Sequence, residues 1–514
     1  MLGSYYFFAY SNLSGTAFIY PIDDAYIHLA LARNFAENGF WGVNPNSFDS
    51  ASSSILYTLI LSGLIKLFGD NVYYPLLINI AAGYATVYYC YRYFSDFYGK
   101  KELLIGMLLL IPYCQLYTMV ILGMEQTLHI LLTVMLIYYA QKNLRSDFAN
   151  SDLWKLLLVV LLFGSVRFES MFFVLIFSAL LCVNGKWKIG TAVFVTGFCP
   201  VIIFGLTSLA CGGYFFPNSL LMKGNYPEAD IFSSIWNIFK NGILTNVSFY
   251  KLFLAPMLMV AIYLFWKYKR QDWKKVLQNE ILLMSVIGTV VLHSLFAVIR
   301  YRYENYLMAA TLLVITPIVA VFFTSDKSRR FVFFKNLMLI SFSGVLFYSV
   351  YIFIFTHKVI RYSSKNIEEQ QIEMARFLSK FYPGQKIVAN DIGAISYFSG
   401  VEIFDIAGLA TTDVAGFYSK NKHLGAEILD QRSHQYMQGR IAQEHTRIAI
   451  IYPSWFPGGV PSTWIPVVSW TIQKKAGVAN QTVVWYAFNK KEAQILLKNL
   501  KKFDLNKNAI KHYY

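Results

Sequence analysis

Through the first two thirds of this chain, apolar stretches long enough or nearly long enough to cross a lipid bilayer follow one another, separated by short polar turns. They run approximately over residues 72–94, 103–122, 127–140, 153–166, 171–183, 189–210, 247–266, 281–298, 306–323 and 331–355. A helix that crosses the hydrocarbon core needs roughly 20 such residues, so the pattern dictates a bundle of spanning helices. Residues 5–20 form a further apolar stretch, shorter than a full span. It reads either as a thin first span or as the remainder of one that begins upstream. With it the expected count is about eleven. Charged residues make up only 14% of the 514 residues, against about 25% in soluble domains, which agrees with this reading.

The stretch 54–68 is ambiguous in length, and charge decides how it lies. If it rests along the membrane surface, the basic clusters Arg92/Lys100/Lys101, Lys142/Arg145, Lys186/Lys188, Lys267–Lys275 and Lys327–Arg330 all fall on one side. The positive-inside rule makes that side cytoplasmic. The opposite face then carries the polar segments 21–53, 123–126, 167–170, 211–246 and 300–305, together with everything after residue 356. The net charge of +16 is thereby explained by topology, and no nucleic-acid partner is implied.

After residue 356 the pattern changes to short alternating runs, such as 385–389 and 447–452, with helical stretches at 367–381 and 491–500. The expected architecture is an α-helical polytopic membrane domain over 1–356 and a soluble, extracytoplasmic α/β domain over 357–514. The five cysteines have no metal-ligand or disulfide spacing. His28, His129 and His293 read as hydrogen-bonded polar residues inside the bundle. The glycine pattern around Gly393 makes no phosphate loop.

Three constellations carry chemistry. Asp23 and Asp24 follow Pro21 directly after the first apolar stretch. One of them can cap the next helix, and carboxylates this close to lipid also suit a general base. Arg167 and Glu169 sit between two apolar runs almost without a loop, as a self-satisfied ion pair or as a site, and Glu125 reads similarly. Arg300, Arg302 and Lys223 place positive charge on the face where topology does not call for it. They suit a phosphate, in an anionic headgroup or in a substrate.

These pieces resemble the GT-C superfamily of membrane glycosyltransferases, and within it bacterial proteins similar to the arabinofuranosyltransferases of cell-wall synthesis. The resemblance rests on Asp23-Asp-Ala-Tyr-Ile with Arg33-Asn, Gly123-Met-Glu, Val166-Arg-Phe-Glu, Phe216-Pro-Asn with Lys223, Arg302-Tyr, Asn390-Asp-Ile-Gly-Ala, and Asp405-Ile-Ala-Gly-Leu. Arg167-Phe-Glu stands where that family usually has Arg-Pro-Glu. The resemblance implies two surface helices in the first external loop, a polyprenyl-phosphate sugar donor, and an acid of that loop as base. Asp24 is slightly preferred over Asp23. Donor phosphate falls to Lys223, Arg300, Arg302 and Arg167, with Arg33, Glu125, Glu169, Asn218 and Tyr303 in support. The expected reaction is inverting transfer to an extracytoplasmic glycan, lipid or protein at the inner membrane. No cofactor is required, although a divalent cation is left open. A transporter or flippase, or an O-antigen-type polymerase, is the competing class.

Overall fold

The computed structural model describes residues 18–149, 152–223, 231–268, 272–300, 302–323, 329–421, 424, 426–456 and 459–514. The expected first span, 5–20, lies almost wholly outside the described residues. Every other apolar stretch is helical. Leu153–Val166 matches its expectation residue for residue, while Gln126–Arg145, Ser170–Val183, Trp187–Ala210, Val247–Tyr268 and Asn305–Phe322 differ only at their ends. The stretch 103–122 departs from expectation and forms two helices, Lys100–Tyr113 and Leu116–Ile121. Pro112 lacks the N–H that would continue the ladder, and Gln115 turns the backbone into the left-handed region at φ 51°.

By length and composition, four described helices can cross a membrane, or five if the pair Trp273–Asn279 and Ile281–Phe296, bent by 98°, counts as one span. That is fewer than the expected count of about eleven. Several stretches fold as helices of 14 residues, such as Leu153–Val166 and Ser170–Val183. At 1.5 Å per residue each covers about 21 Å, short of the roughly 30 Å hydrocarbon core.

The boundary expected at residue 357 falls inside a helix. Arg329–Ile367 runs through a π-turn at Glu368–Ile372 into Glu373–Phe381. One rod therefore starts in the apolar bundle and ends beneath the sheet of the second domain, where Phe377 and Leu378 are fully buried.

That sheet has six strands in the order β2-β1-β3-β5-β4-β6, namely β1 Lys386–Ala389, β2 Glu402–Asp405, β3 Ile448–Ile451, β4 Ile465–Ile472, β5 Thr482–Ala487 and β6 Ala509–Tyr513. β2, β1 and β3 are parallel, and the rest pair antiparallel. Side chains alternate between faces, as a strand dictates. Ile387, Ala389, Ile448, Ile450 and Trp485 pack toward Phe377 and Leu496. Val388, Ala449, Ile451 and Val484 pack toward Val414, Met437 and Ile441. The result is three layers, with helices on both faces.

The first loop joins the two domains. Its helices, Asp24–Asn38 and Ile55–Phe68, pack on each other, and Ile27, Val43 and Ala51 enter the core of the second domain. Asn44 stands against edge strand β2 as a short substitute strand. Its amide donates to Ile403 O at 2.9 Å, and its oxygen accepts from Ile403 N at 2.8 Å.

The loop and the second domain also approach closely at Gly393, where any Cβ would meet both the backbone carbonyl and the carboxylate of Asp23. Gly393→Ala should cost about 1–3 kcal/mol, as overpacking does, and loosen the loop from the second domain. Thermal unfolding combined with limited proteolysis of residues 40–50 checks this. Unchanged melting and unchanged cleavage would show that the contact gives way cheaply.

Candidate active site

The adjacent carboxylates Asp23 and Asp24 point to different partners. Asp23 stands at the N-terminus of helix Asp24–Asn38 but makes no side-chain cap to it. It caps another helix 370 residues away: Oδ2 accepts from Gly393 N at 2.5 Å and Oδ1 from Ala394 N at 2.8 Å. That short helix, Gly393–Phe398, is held at both ends. Arg33, further along the same loop helix, donates to Tyr397 O at 2.9 Å and Ser396 O at 3.3 Å, and lies over the Tyr397 ring at 4.9 Å. An acid at the N-terminus and a guanidinium at the C-terminal carbonyls both match the helix dipole. Asp23 and Arg33 thus act together as a clamp between the domains.

Asp23 is buried at 6% exposure, and Asp391 stands beside it. Burial first, and then the charge of Asp391, raise the Asp23 pKa well above its ordinary 3.8. Burial likewise raises Asp391, whose Oδ2 accepts from Gln371 Nε2 at 2.8 Å. Two carboxylates in one dry site favour sharing a proton over carrying two charges. Asp391 lies in the Asn390-Asp-Ile-Gly-Ala stretch, but nothing local reveals that Asp23 will dock against it.

Asp24 faces away from this clamp. Its side chain is 34% exposed, and Oδ2 accepts from Arg302 Nη2. Arg302 also donates to Met124 Sδ at 3.0 Å and lies 5.4 Å from the centre of the Tyr303 ring. Arg167 lies over the same ring at 4.9 Å. Tyr303 therefore links two guanidinium groups.

Arg167 is buried and held by carboxylates. Its Nε and Nη2 donate to the two oxygens of Glu169 at 3.1 and 2.7 Å, and Nη1 donates to Glu125. Glu125 Oε2 stands 3.1 Å from His28 Nε2, and His28 Nδ1 lies 3.3 Å from Ser52 Oγ. Every donor nitrogen of Arg167 faces an acid, so its place as a free phosphate ligand is weaker than the sequence pattern suggests. Glu125 and Glu169 belong to the same structural pair. Their burial is sustainable because the charges alternate and remain hydrogen-bonded.

The histidines take up polar partners inside the bundle. His129 Nε2 lies 3.0 Å from Ser170 Oγ, and His293 Nδ1 lies 3.2 Å from the Tyr306 hydroxyl. Asn218, expected in support of the donor site, joins the two domains. It takes Ser50 O with its backbone N–H at 3.2 Å, and its amide donates to Leu409 O at 3.0 Å. Arg300 is exposed, and its guanidinium has no ion-pair partner among the described residues. Lys223 ends helix Asn218–Lys223, and its side chain lies outside the described residues.

A narrow cleft of about 50 Å³ opens between these groups, lined by Ser53, Arg167, Glu169, Ser219 and Tyr303. Ser219 Oγ is buried there without a hydrogen-bond partner among the described residues. A larger cavity, about 730 Å³, lies at the other end of the bundle beside Glu102, Arg145, Lys186 and Glu280. Helix Gln126–Arg145 separates the two ends, with Glu125 at one and Arg145 at the other. The cluster around Asp24 and Arg302 is the better candidate, because reactive groups converge there. Among the described residues no group of three or more His, Cys, Asp and Glu could hold a metal ion.

Comparison with known proteins places this geometry in context. A family model described as a domain of unknown function (DUF8728) matches residues 365–487, most of the second domain. No curated protein sequence matches the chain. ArnT from Cupriavidus metallidurans bound to undecaprenyl phosphate is similar in structure, with TM-score 0.52 at 10% identity, covering 94% of this chain and 96% of that one. The same protein in its apo state gives TM-score 0.51 at 10% identity, covering 96% and 98%. An oligosaccharyltransferase from Archaeoglobus fulgidus gives TM-score 0.51 at 10% identity, covering 98% of this chain and 73% of that one. Both proteins are GT-C glycosyltransferases, and this chain shares their fold.

The clamp predicts a pH signature. Asp23 and Asp391 have folded-state pKa values raised above those of the unfolded chain. Their contribution to stability is therefore full below the ordinary carboxylate range and is lost as pH rises through the raised values. Asp391→Asn removes the repulsion and should flatten the fall in melting temperature between pH 5 and pH 9. Asp49, raised to about 7, and Asp405, raised to about 6, are present in both proteins, so the difference between the two curves isolates the pair. Parallel curves would contradict the assignment.

Proposed function

We propose that this protein transfers a sugar from a polyprenyl-phosphate donor to an acceptor hydroxyl, with Asp24 as the general base. The observation that carries the reading is the Asp24–Arg302 pair: a part-exposed carboxylate held by a guanidinium whose ring neighbour, Tyr303, lines a cleft. The fold shared with ArnT, whose structure holds undecaprenyl phosphate, supports the donor class.

In the proposed reaction the donor phosphate takes Arg302 away from Asp24. The carboxylate, no longer neutralised, becomes the stronger proton acceptor and removes the proton from the acceptor hydroxyl. The acceptor oxygen attacks the anomeric carbon, the bond from that carbon to the phosphate oxygen breaks, and its electron pair leaves on the polyprenyl phosphate. A single displacement inverts the anomeric centre. The leaving group is already an anion of a fairly strong acid, so no second carboxylic acid is needed, unlike in a glycosidase. Its developing charge requires cations, which Arg302, Arg300 and Lys223 supply without a metal. Arg167, Glu125 and Glu169 hold the floor of the site and fix Tyr303. In this reading the site and the second domain face the extracytoplasmic side of the inner membrane, where the positive-inside rule puts them.

Substitution separates the two acids. Asp24→Asn keeps size and shape but cannot accept the proton, so turnover with an undecaprenyl-phosphate sugar should fall about 100- to 10,000-fold at near-normal stability. Asp23→Asn should chiefly lower the melting temperature, because its amide group presents a donor to one of the two backbone N–H groups it must accept. Arg302→Met should cost roughly ten- to hundredfold, the loss of one charge-assisted phosphate contact. Near-normal turnover in Asp24→Asn would sink the assignment of the base.

A further inference from the structure

The second domain has a crevice of its own. Strand β1 connects through helix Gly393–Phe398 to β2 on one side. β2 then connects through helices Thr412–Asn421 and Ala426–Gln443 to β3 on the other side of β1. The strand order reverses between β1 and β3, and in open α/β sheets ligands bind outside the carboxyl ends of the strands at such a reversal. Here Asn390, just after β1, and Tyr452, just after β3, bridge the gap: the Asn390 amide donates to Tyr452 O at 3.2 Å, and Tyr452 N donates to Asn390 Oδ1 at 3.0 Å. Next to that bridge is a cavity of about 360 Å³, within the size range of small-molecule sites.

The lining identifies the ligand class. The place where such a crevice usually takes a phosphate, the N-terminus of the helix after the first strand, is filled by the Asp23 carboxylate. Among the described residues that line the cavity, Asp430 is the one charged side chain, so a free anion is disfavoured. Asp430 has no ion-pair partner among the described residues. Beside it stand the Tyr418 hydroxyl and Ser433. Burial, with the charges of Asp405 and Asp430, pushes Tyr418 up to about 12, which keeps it a donor at neutral pH. Trp455 is 44% exposed at the rim and Phe456 lies next to it. A flat apolar ring, a carboxylate that accepts from hydroxyls and a phenol that donates to them together match a neutral sugar, which presents C–H groups on its face and hydroxyls at its edge.

Met222 closes the cavity from the membrane domain and directly precedes Lys223. The same short helix begins at Asn218, which donates to Leu409 in the second domain. The crevice therefore opens beside the segment that carries a proposed donor-phosphate cation. We propose that this crevice binds an uncharged saccharide, the acceptor, with its apolar face on Trp455 and its hydroxyls on Asp430 and Tyr418. That the saccharide is the acceptor rests on the transferase reading; that it binds here does not.

The test uses full-length protein in nanodiscs, titrated by calorimetry with neutral mannan, arabinan and galactan tetrasaccharides, and separately with inorganic phosphate and GDP. At least one tetrasaccharide should bind. Trp455→Ala and Asp430→Asn should each weaken it about tenfold or more, and Tyr418→Phe less, while affinity for undecaprenyl phosphate stays unchanged. Trp455 lies at the rim, so its loss leaves the core intact, and unchanged melting of the variants confirms that they fold. No saccharide binding, binding indifferent to all three substitutions, or binding of phosphate or GDP that Asp430→Asn strengthens would each overturn the proposal. If saccharides bind as expected but wild-type protein releases no undecaprenyl phosphate from any sugar donor, the crevice stands and the transferase reading falls.

Discussion

Two backbone N–H groups, those of Gly393 and Ala394, hold the Asp23 carboxylate, and much of the rest of the structure depends on that contact. It joins the first loop to the second domain across most of the chain. Arg33 completes it from the other end of the same short helix. With the loop helix fixed at both points, the next residue, Asp24, is turned toward Arg302. Moving the clamp would move the carboxylate proposed as the base. The cost is a buried pair of acids, Asp23 and Asp391, which the fold tolerates because backbone amides and Gln371 donate to their oxygens.

A second constraint comes from the apolar bundle. Charges at its edge persist only when paired, and Arg167 with Glu125 and Glu169 is paired on every side. Such a cluster is rigid and unreactive by itself. It presents Tyr303, and through Tyr303 it sets the position of Arg302, whose own partner is a partly exposed acid that a ligand can displace. The division of labour is physical: buried cations organise, and the more accessible ones are free to exchange partners.

Much of this was legible in the sequence. Apolar length fixed the helices of the bundle, and the change to alternating runs announced the α/β domain. Of the acids, arginines and histidines that stand out in an apolar chain, Asp24, His28, Glu125 and Glu169 converge around Arg302 and Arg167, while Asp23 and Arg33 clamp the second domain. Four things were not legible. The break at Gln115 depends on one left-handed backbone angle. The continuity of 329–381 hides behind a loss of hydropathy that looks like a domain boundary. The partner of Asp23 lies 370 residues away, so a local reading could see only a cap for its own helix. Asp430 and Trp455 have no spacing signature, because the sheet topology, not the local sequence, brings them to a site.

The central claim is that Arg302 exchanges Asp24 for the donor phosphate. It is tested most directly by a cryo-electron microscopy structure of the full-length protein with undecaprenyl phosphate bound. The account predicts the phosphate within hydrogen-bond distance of Arg302, and Asp24 released from the guanidinium and facing the open cleft. A phosphate bound elsewhere, with the Asp24–Arg302 pair still closed, would contradict it.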